Sequence, residues 1–477
     1  MMRLAFLVSL AAALAGCPGR AGSEAIGPDR SGEAWLVTEL AGRHIGHSVT
    51  RMERFDEGWR FENTMHMDLA MMGVDQQVRV HSVATASPDL RLESVTFHYE
   101  GQGRVMDAVA VVQENNLIIK AAGDQSRARP LDEPLYPTEA LGRLALRAEA
   151  AGKERFEVPV FDVSTMSVDR VRVKLEGWEP VRAGDATFHA LRVRVTSSLF
   201  AVTGWYDSLG LTVVEEAPPG IRSFRATPAE AVAGVGGKAG VDLLQMFRVE
   251  VDTTVESPDR VRRVRLKLSG VGADELPRDI GEVTELEPER HSLCSCKLLV
   301  LEISTEPPAG TLSLPVAGQD SFLLASVTIQ CDAPEIRDRA AAVLAKERDA
   351  VQAARMLVHW VYENVEKVPT ASFPTALDVL RNPQGDCNEH AVLYAGLARA
   401  AGLPARVAVG LAYMDRAFYY HAWNEVWLGR WVPVDPTFNE FPASALHLKL
   451  AEGDLREQAR ILPLVGRIGI RILELDY

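Results

Sequence analysis

Apolar and polar residues alternate along most of the stretch from Ala34 to about Thr227, as they do in β-strands with one buried and one solvated face. Gly and Asp clusters such as Asp56-Glu57-Gly58 interrupt the alternation. A short helical stretch is expected between Pro134 and Ala151. The pattern predicts an antiparallel sheet that is strongly curved or closes part of the way on itself. The clearest strand-like runs are 35–40, 77–83, 105–112 and 191–196.

A second β-rich segment follows a Gly- and Ala-rich boundary at Ala231–Gly240. It is about 90 residues long, which suits a small sandwich or an extension of a neighbouring sheet. The predicted strands are Leu243–Val255, Val261–Ser269, Lys297–Ser304 and Phe322–Gln330.

The pattern changes to helical spacing after Ala333. One helix is predicted over Asp338–Val365, with His359 on its apolar face, and a short one over Pro374–Leu380. A third helix begins at Cys387 and runs to about Ala401. Strands are then expected at Ala405–Ala412, Tyr420–Leu428 and Trp431–Asp435, with a tight turn at Leu428-Gly429-Arg430.

The fold class predicted is α+β, with antiparallel β-rich domains preceding a C-terminal mixed domain. At 477 residues the chain is too long for one hydrophobic core. A net charge of -14 argues against a nucleic-acid binder, because neutralising phosphates needs clustered Lys and Arg. The oligomeric state is left open. The predicted division is a signal peptide (1–16), a flexible tether (17–32), β-rich domains (33–230 and 241–332), a catalytic domain (333–450) and a C-terminal extension (451–477).

The N-terminus has the features of an export signal. Arg3 provides positive charge, and the apolar stretch Leu4–Ala15 is too short to span a bilayer. Leu14-Ala15-Gly16-Cys17 resembles a bacterial lipobox, which implies acylation of Cys17; an ordinary secretory signal that contains a cysteine is the alternative. Pro18 after the cysteine favours the outer membrane. The expected location is the bacterial cell envelope, lipid-anchored and facing the periplasm.

Three further cysteines are expected to be structural. Cys294 and Cys296 are too close together for an unstrained mutual bridge, so a disulfide between Cys296 and Cys331 is a candidate. A metal site is not expected, because His291 is the only histidine near them.

Cys387 is the candidate nucleophile. The N-terminus of a helix stabilises a thiolate through its dipole and its N–H groups. His421 lies 34 residues downstream near the start of a predicted strand, and Asp435 ends the next strand of the hairpin. Adjacent antiparallel strands bring these two side chains together, as a base and the group that orients it.

The surrounding sequence resembles the transglutaminase-like superfamily, whose fold is papain-like. The resemblance covers residues 334–450, about a quarter of the chain. It implies a Cys387–His421–Asp435 triad that attacks amide carbonyls and forms a thioacyl intermediate. Asn424 stands where the family commonly has an apolar residue. The matching blocks are G-D-C-N-E-H-A (385–391), R-A-A-G-L-P-A-R (399–406), H-A-W-N-E-V (421–426) and W-V-P-V-D-P-T (431–437).

Residues beside the triad are expected to support it. Glu389 and Glu425 are predicted to be structural, holding Arg406 or backbone donors. His390 and Trp423 are predicted to pack beside the triad.

An acyl-transfer site also needs an oxyanion hole, for which the backbone N–H of Cys387 is one expected donor. Gln384 is a candidate for the second donor; its alternative role is to cap the nucleophile helix.

The implied enzyme needs no cofactor, and its partner is a protein or peptide substrate. Bacterial relatives in the superfamily are often proteolytic, so hydrolysis by a peptidase or amidase is favoured. Cross-linking by transamidation is an alternative, as is a non-enzymatic envelope lipoprotein with an accessory transglutaminase-like domain.

Overall fold

The computed structural model describes residues 30–102, 104–121, 126–233, 241–286, 298–308, 312–453 and 455–477. The chain divides into two compact units. The first ends at Leu243 and also includes Ala371–Phe373; the second comprises Leu244–Thr370 and Pro374–Tyr477.

The first unit is built on one 16-stranded sheet, in the order β8-β7-β6-β5-β4-β3-β2-β1-β15-β14-β13-β12-β11-β10-β9, with β16 beside β3. Neighbours are antiparallel except for β9 with β10 and β16 with β3, which confirms the antiparallel prediction. The strands are β1 Gly32–Leu40, β2 Arg43–Phe55, β3 Gly58–Met71, β4 Val74–Ala86, β5 Leu92–Gly101, β6 Arg104–Gln113, β7 Asn116–Ala121, β8 Arg127–Pro130, β9 Tyr136–Pro137, β10 Arg155–Asp162, β11 Ser167–Ala183, β12 Ala186–Thr196, β13 Ala201–Tyr206, β14 Thr212–Ala217, β15 Ile221–Ala226 and β16 Val241–Asp242.

Alternating burial gives this sheet its core. In β4, Val78 and Val80 are buried, whereas Gln77 and Arg79 are exposed, because successive side chains point to opposite sides of a strand. The predicted helix is present as α1 (Leu141–Ala150), whose apolar residues pack on β10, β11 and β12. A second helix, α2, spans Pro228–Val232 and begins with a capping box.

The second unit combines helices with three small sheets, in the orders β17-β24-β23-β26 with β25 beside β24, β19-β20-β18-β27, and β21-β22. Its strands are β17 Val249–Glu250, β18 Arg263–Ser269, β19 Glu282–Leu286, β20 Leu298–Ser304, β21 Glu366–Lys367, β22 Gln384–Gly385, β23 Ala405–Met414, β24 Ala417–Trp427, β25 Trp431–Val434, β26 His447–Glu452 and β27 Gly469–Asp476. Its helices are α4 Pro334–Leu344, α5 Ala350–Asn364, α6 Ala376–Arg381, α7 Cys387–Ala400 and α8 Leu455–Gln458, and a short helix α3 (Leu243–Met246) spans the division between the units. Single 3-10 turns occur at Thr138–Ala140, Pro258–Arg260, Ala273–Glu275 and Asp320–Leu323, and a longer one at Ala459–Leu464.

The single helix predicted over Asp338–Val365 is wrong, because two helices occupy that stretch. Ala345 has φ 50°, outside the right-handed helical region, and ends α4. Asp349 then caps α5, its side chain accepting a hydrogen bond from the Gln352 N–H at 2.8 Å. His359, expected in the core, is exposed.

Two predicted strands are also wrong. Leu243–Val255 contains a helical turn and only the two-residue strand β17. Phe322–Gln330 follows a 3-10 turn and forms no strand. Its end is held instead by Gln330, whose side-chain oxygen accepts the Leu377 N–H at 3.1 Å. The hairpin that follows the nucleophile helix is confirmed.

The structure groups the predicted segments 241–332, 333–450 and 451–477 differently, since the second compact unit contains nearly all of them. Strand β18 pairs with β20 and also with β27 of the C-terminal segment, so these segments share one sheet. Among the described residues, no helix is both long and apolar enough to cross a bilayer.

Three predicted cysteine roles involve residues outside the described ranges: Cys17, Cys294 and Cys296. The Cys296–Cys331 disulfide therefore stays a prediction. Cys331 itself is buried, and its sulfur lies 3.4 Å from the Leu323 carbonyl oxygen.

Candidate active site

The nucleophile helix α7 begins at Cys387 because the residues around it form a capping box. The Asp386 side chain accepts the Asn388 N–H at 2.8 Å, while Glu389 Oε2 accepts the Asp386 N–H at 2.9 Å. Gly385 has φ 150°, and a Cβ there would lie 2.2 Å from the Glu389 Cγ. Glycine is therefore required for the cap that fixes Cys387 as the first helical residue.

The Cys387 thiol is half-buried against β24, the strand that carries His421. The backbone N–H of Ala422, the residue after His421, hydrogen-bonds to the sulfur. Burial raises the pKa of the Cys387 thiol far above its usual range, and the nearby Asp386 carboxylate adds to the effect. Burial and the Asp386 carboxylate therefore both favour the neutral thiol over the thiolate.

His421 and Asp435 meet as the sequence predicts. The Nε2 atom of His421 lies 2.6 Å from Asp435 Oδ2, and both side chains are buried. An ionised carboxylate can only accept, so Nε2 carries a proton, and in the neutral ring Nδ1 then holds the lone pair. The imidazole also stacks on Phe438 at a centroid distance of 4.6 Å and an interplanar angle of 4°. These contacts fix both the tautomer and the plane of the ring.

Asp435 accepts hydrogen bonds on both carboxylate oxygens. Oδ1 receives the N–H groups of Thr437 at 2.6 Å and Phe438 at 3.1 Å. Oδ2 receives His421 and also His447, whose Nε2 is 3.0 Å away. Burial alone would raise the pKa of Asp435, but the two histidines outweigh it and hold that pKa well below its usual range. Asp435 is therefore a fixed anion with four donors.

His447 was missed by the sequence analysis. It begins strand β26, opposite Ala412 of β23, and lies outside the recognisable motifs. Its ring makes an edge contact with Trp423 at a centroid distance of 5.1 Å. Its only signal in the sequence is the alternation of His447 and Lys449 with leucines, which indicates a strand and no particular role.

His421, Asp435 and His447 are also the residues of this site that could hold a metal ion, since their ligand atoms lie within 4.8 Å of one another. Two ligands bound tetrahedrally to zinc at about 2.0–2.1 Å would stand about 3.4 Å apart. The observed separations of 2.6 and 3.0 Å are shorter and match hydrogen bonds. We therefore describe the three residues as a hydrogen-bonded chain.

Glu425, on the same strand as His421, is structural as predicted. It accepts Arg406 Nε at 2.7 Å and Lys449 Nζ at 3.0 Å. The Arg406 guanidinium also binds Asp279 and lies over the Trp431 ring, 4.1 Å from its centroid. All three charged groups of Arg406, Glu425 and Lys449 are largely buried, and their pairing meets the cost of that burial.

The other predicted neighbours also lie near the triad. The Trp423 ring stacks on His421 at a centroid distance of 6.2 Å. His390 is fully buried, and its Nδ1–H donates to the Asp386 carbonyl at 2.7 Å. Asn424, the departure from the family pattern, donates to the Ala391 carbonyl at 2.9 Å and so ties the nucleophile helix to the strand.

Gln384 lies in β22, three residues before the nucleophile, and is half-buried. The helix cap is Asp386, so the capping role considered for Gln384 is wrong. Its oxyanion role stays a prediction.

One family model matches the C-terminal part of the chain. Residues 337–436 match the family model described as the transglutaminase-like superfamily. An uncharacterized protein of Mycobacterium leprae (strain TN) is 26% identical over 144 residues, which cover 28% of this chain and 50% of that protein. The chain thus spans about half the length of this curated relative.

Two solved structures are similar to parts of the chain. A protein of Cytophaga hutchinsonii, provisionally described as a cysteine protease, has a TM-score of 0.28 at 17% identity, covering 45% of this chain and 86% of its own. A beta-barrel-like protein of a domain of unknown function, from Brucella abortus, has a TM-score of 0.34 at 12% identity, covering 41% of this chain and 94% of its own. TM-scores this low carry no argument about this chain.

Proposed function

We propose that the transglutaminase-like domain at residues 337–436 is the acyl-transfer centre of a cysteine-nucleophile enzyme that acts on amide bonds of proteins or peptides. Cys387 is the nucleophile, His421 the base and Asp435 the group that orients it. One observation carries the proposal: His421 bonds Asp435 through Nε2 at 2.6 Å, and the residue next to it, Ala422, contacts the Cys387 sulfur. Nδ1 of His421 is the ring nitrogen left to take the thiol proton.

The first half of the reaction follows from this protonation state. His421 Nδ1 accepts the Cys387 proton as the sulfur–carbon bond forms, which gives a tetrahedral oxyanion. When the intermediate collapses, the carbon–nitrogen bond breaks and His421 returns the proton to the leaving amine. Asp435 stabilises the transient imidazolium. The product is a thioacyl-enzyme on Cys387.

Donors for the oxyanion come from the start of the nucleophile helix. The Cys387 backbone N–H belongs to the first residue of α7, where the helix dipole favours negative charge. Gln384 is the candidate for a second donor.

Water is the proposed acceptor in the second half of the reaction, which makes the protein a peptidase or amidase. The similarity to a superfamily with many proteolytic bacterial members supports this choice. Attack by a lysine amine would instead make it a cross-linking transglutaminase.

The experiment uses protein lacking residues 1–17, which removes the export signal. Alkylation of Cys387 is followed by peptide mapping in the wild type and in His421→Ala, and we expect alkylation to be at least tenfold slower without the base. Equal rates would contradict the proposal. A glutamine-containing peptide is then supplied with a labelled amine: conversion of glutamine to glutamate or release of peptide fragments supports hydrolysis, and incorporation of the label supports transamidation, while ammonia is released from glutamine in both cases. Cys387→Ala is the control for both readouts.

We also propose that Cys17 is acylated and tethers the enzyme to the bacterial cell envelope, at the outer membrane. The lipobox-like sequence Leu14–Cys17 supports this. Metabolic labelling with a fatty acid should mark the full chain and fail to mark Cys17→Ala. Equal labelling of both would contradict the anchor.

A further inference from the structure

Both ring nitrogens of His447 face hydrogen-bond acceptors. Nε2 lies 3.0 Å from Asp435 Oδ2, and Nδ1 lies 3.1 Å from the Ser444 carbonyl oxygen. A carbonyl oxygen can only accept, and Asp435 is an anion whose oxygens are occupied by other donors. Each nitrogen of His447 must therefore carry a proton to make its bond.

A neutral His447 would lose one of these bonds. Its unprotonated nitrogen would point a lone pair at Ser444 O or at the Asp435 carboxylate, in a site where the imidazole is only 7% exposed. An unpaired buried polar group is costly, so the geometry favours the imidazolium. The pKa of His447 agrees in direction: burial lowers it, but Asp435 and Glu440 together raise it above its usual value.

We propose that His447 is a proton-dependent positioning residue: as the imidazolium it holds Asp435 Oδ2 beside His421, so the reactivity of Cys387 depends on the proton of His447. This regulation rests on the proposed function, because it acts through the same base. It adds a fourth residue to the predicted triad. His447 touches no reacting atom in this scheme, and its effect reaches the sulfur through Asp435 and His421.

The groups that face His447 determine the direction of the pH effect. Asp435 and Glu440 are its acidic neighbours, and the His421 ring is 5.9 Å away between centroids. Burial raises the pKa of Glu440, whose carboxylate accepts the Ser444 N–H at 2.8 Å. Because the His447 pKa is raised, the imidazolium persists to a higher pH than that of an ordinary histidine, whose pKa is about 6.5. It is lost as the pH rises further.

The kinetic test compares wild type with His447→Gln, which keeps one neutral N–H donor and cannot titrate. Alkylation rates of Cys387 are measured from about pH 5 to about pH 10. The rise in thiolate with pH affects both proteins, so it cancels in the ratio of their rates. We expect wild type to react about tenfold faster at the acidic end, with the ratio falling towards one as His447 loses its proton. The exposed His359→Gln is the matched control and should leave the rate unchanged at every pH.

A ratio that is constant with pH, whatever its size, would overturn the proposal, since it would mean a purely structural role or none. Failure of the proposed function is a different result: Cys387 of the wild type would be alkylated no faster than Cys387 of His421→Ala. A direct measurement does not depend on reactivity or on folding of the His447 variant. Nitrogen NMR of ¹⁵N-histidine-labelled Cys387→Ala protein should show both nitrogens of His447 protonated at neutral pH, and a neutral tautomer there would refute the proposal.

Discussion

Replacing Asp435 by Asn tests the four-donor arrangement, because it keeps the shape of the side chain and removes its charge. The Asn carbonyl oxygen can satisfy one pair of donors, either Thr437 and Phe438 or the two histidines. The amide NH₂ must then face the other pair. Two buried donors lose their acceptor in either orientation, at a cost of about 1–3 kcal/mol each. The free energy of unfolding should therefore fall by about 2–6 kcal/mol.

The assay is urea unfolding near neutral pH, with Asp338→Asn as the control. Asp338 is exposed on helix α4, so its substitution should change stability by less than about 0.5 kcal/mol. The Asp435→Asn protein should also show a fall in Cys387 reactivity of several orders of magnitude, since the same change in the triad of a serine protease lowers kcat by about 10⁴.

The contribution of Asp435 to the free energy of unfolding should decrease in acid. The folded-state pKa of Asp435 lies below its unfolded value, so its stabilising contribution is complete above about pH 4 and is lost as the pH falls through the folded-state pKa. The stability difference between wild type and Asp435→Asn should shrink in acid. An Asp435→Asn protein that unfolds at the same urea concentration as the wild type would refute the arrangement of donors around Asp435.

Three further substitutions probe the supports of the site. Glu389→Ala removes one acceptor of the capping box and should cost about 1 kcal/mol in urea unfolding; no loss would contradict the cap. Arg406→Met removes one of the two cations that bind the buried Glu425 and leaves Lys449 as the other, so it should cost about 1.5–3 kcal/mol, part of which the double variant with Glu425→Leu should restore. Phe438→Ala removes the ring stacked on His421, worth about 0.5–1.5 kcal/mol, and should slow alkylation of the nucleophile; an unchanged rate would show that the ring does not position the base.

The positions of the three candidate residues were predictable because they are encoded in short stretches of sequence. Gly385 and Asp386 mark a helix start, so the position of Cys387 follows from local capping. His421 lies on β24 and Asp435 directly follows β25. These two strands are joined by a tight turn, and a hairpin of that kind has a register that sequence spacing reveals.

His447 could not be predicted in the same way. It reaches Asp435 only because β26 pairs with β23, which is a long-range contact with no turn to set its register. The burial of the Cys387 thiol was also beyond the sequence, because it depends on the whole fold. A helix N-terminus favours the thiolate, whereas burial raises the pKa of the thiol and acts in the opposite direction.

The contrast between local sequence signals and the tertiary fold also explains the errors in the predicted secondary structure. Residues 338–365 have helical spacing throughout, and apolar periodicity does not show that Ala345 leaves the helical region. Asp349 was the available signal, since Asp is a preferred N-cap. In the stretch 322–330 the apolar residues favour a strand, but the structure has a loop held by the Gln330 side chain, in which Leu324 is exposed.

The most direct test of the central claim is to trap the acyl group on the enzyme. The protein lacking residues 1–17 is mixed with an activated acyl ester, quenched in acid, and analysed by intact mass and peptide mapping. We expect one acyl adduct on Cys387 that forms in the wild type, is absent from Cys387→Ala and accumulates much more slowly in His421→Ala. An adduct on another residue, or equal labelling of the wild type and His421→Ala, would contradict the account.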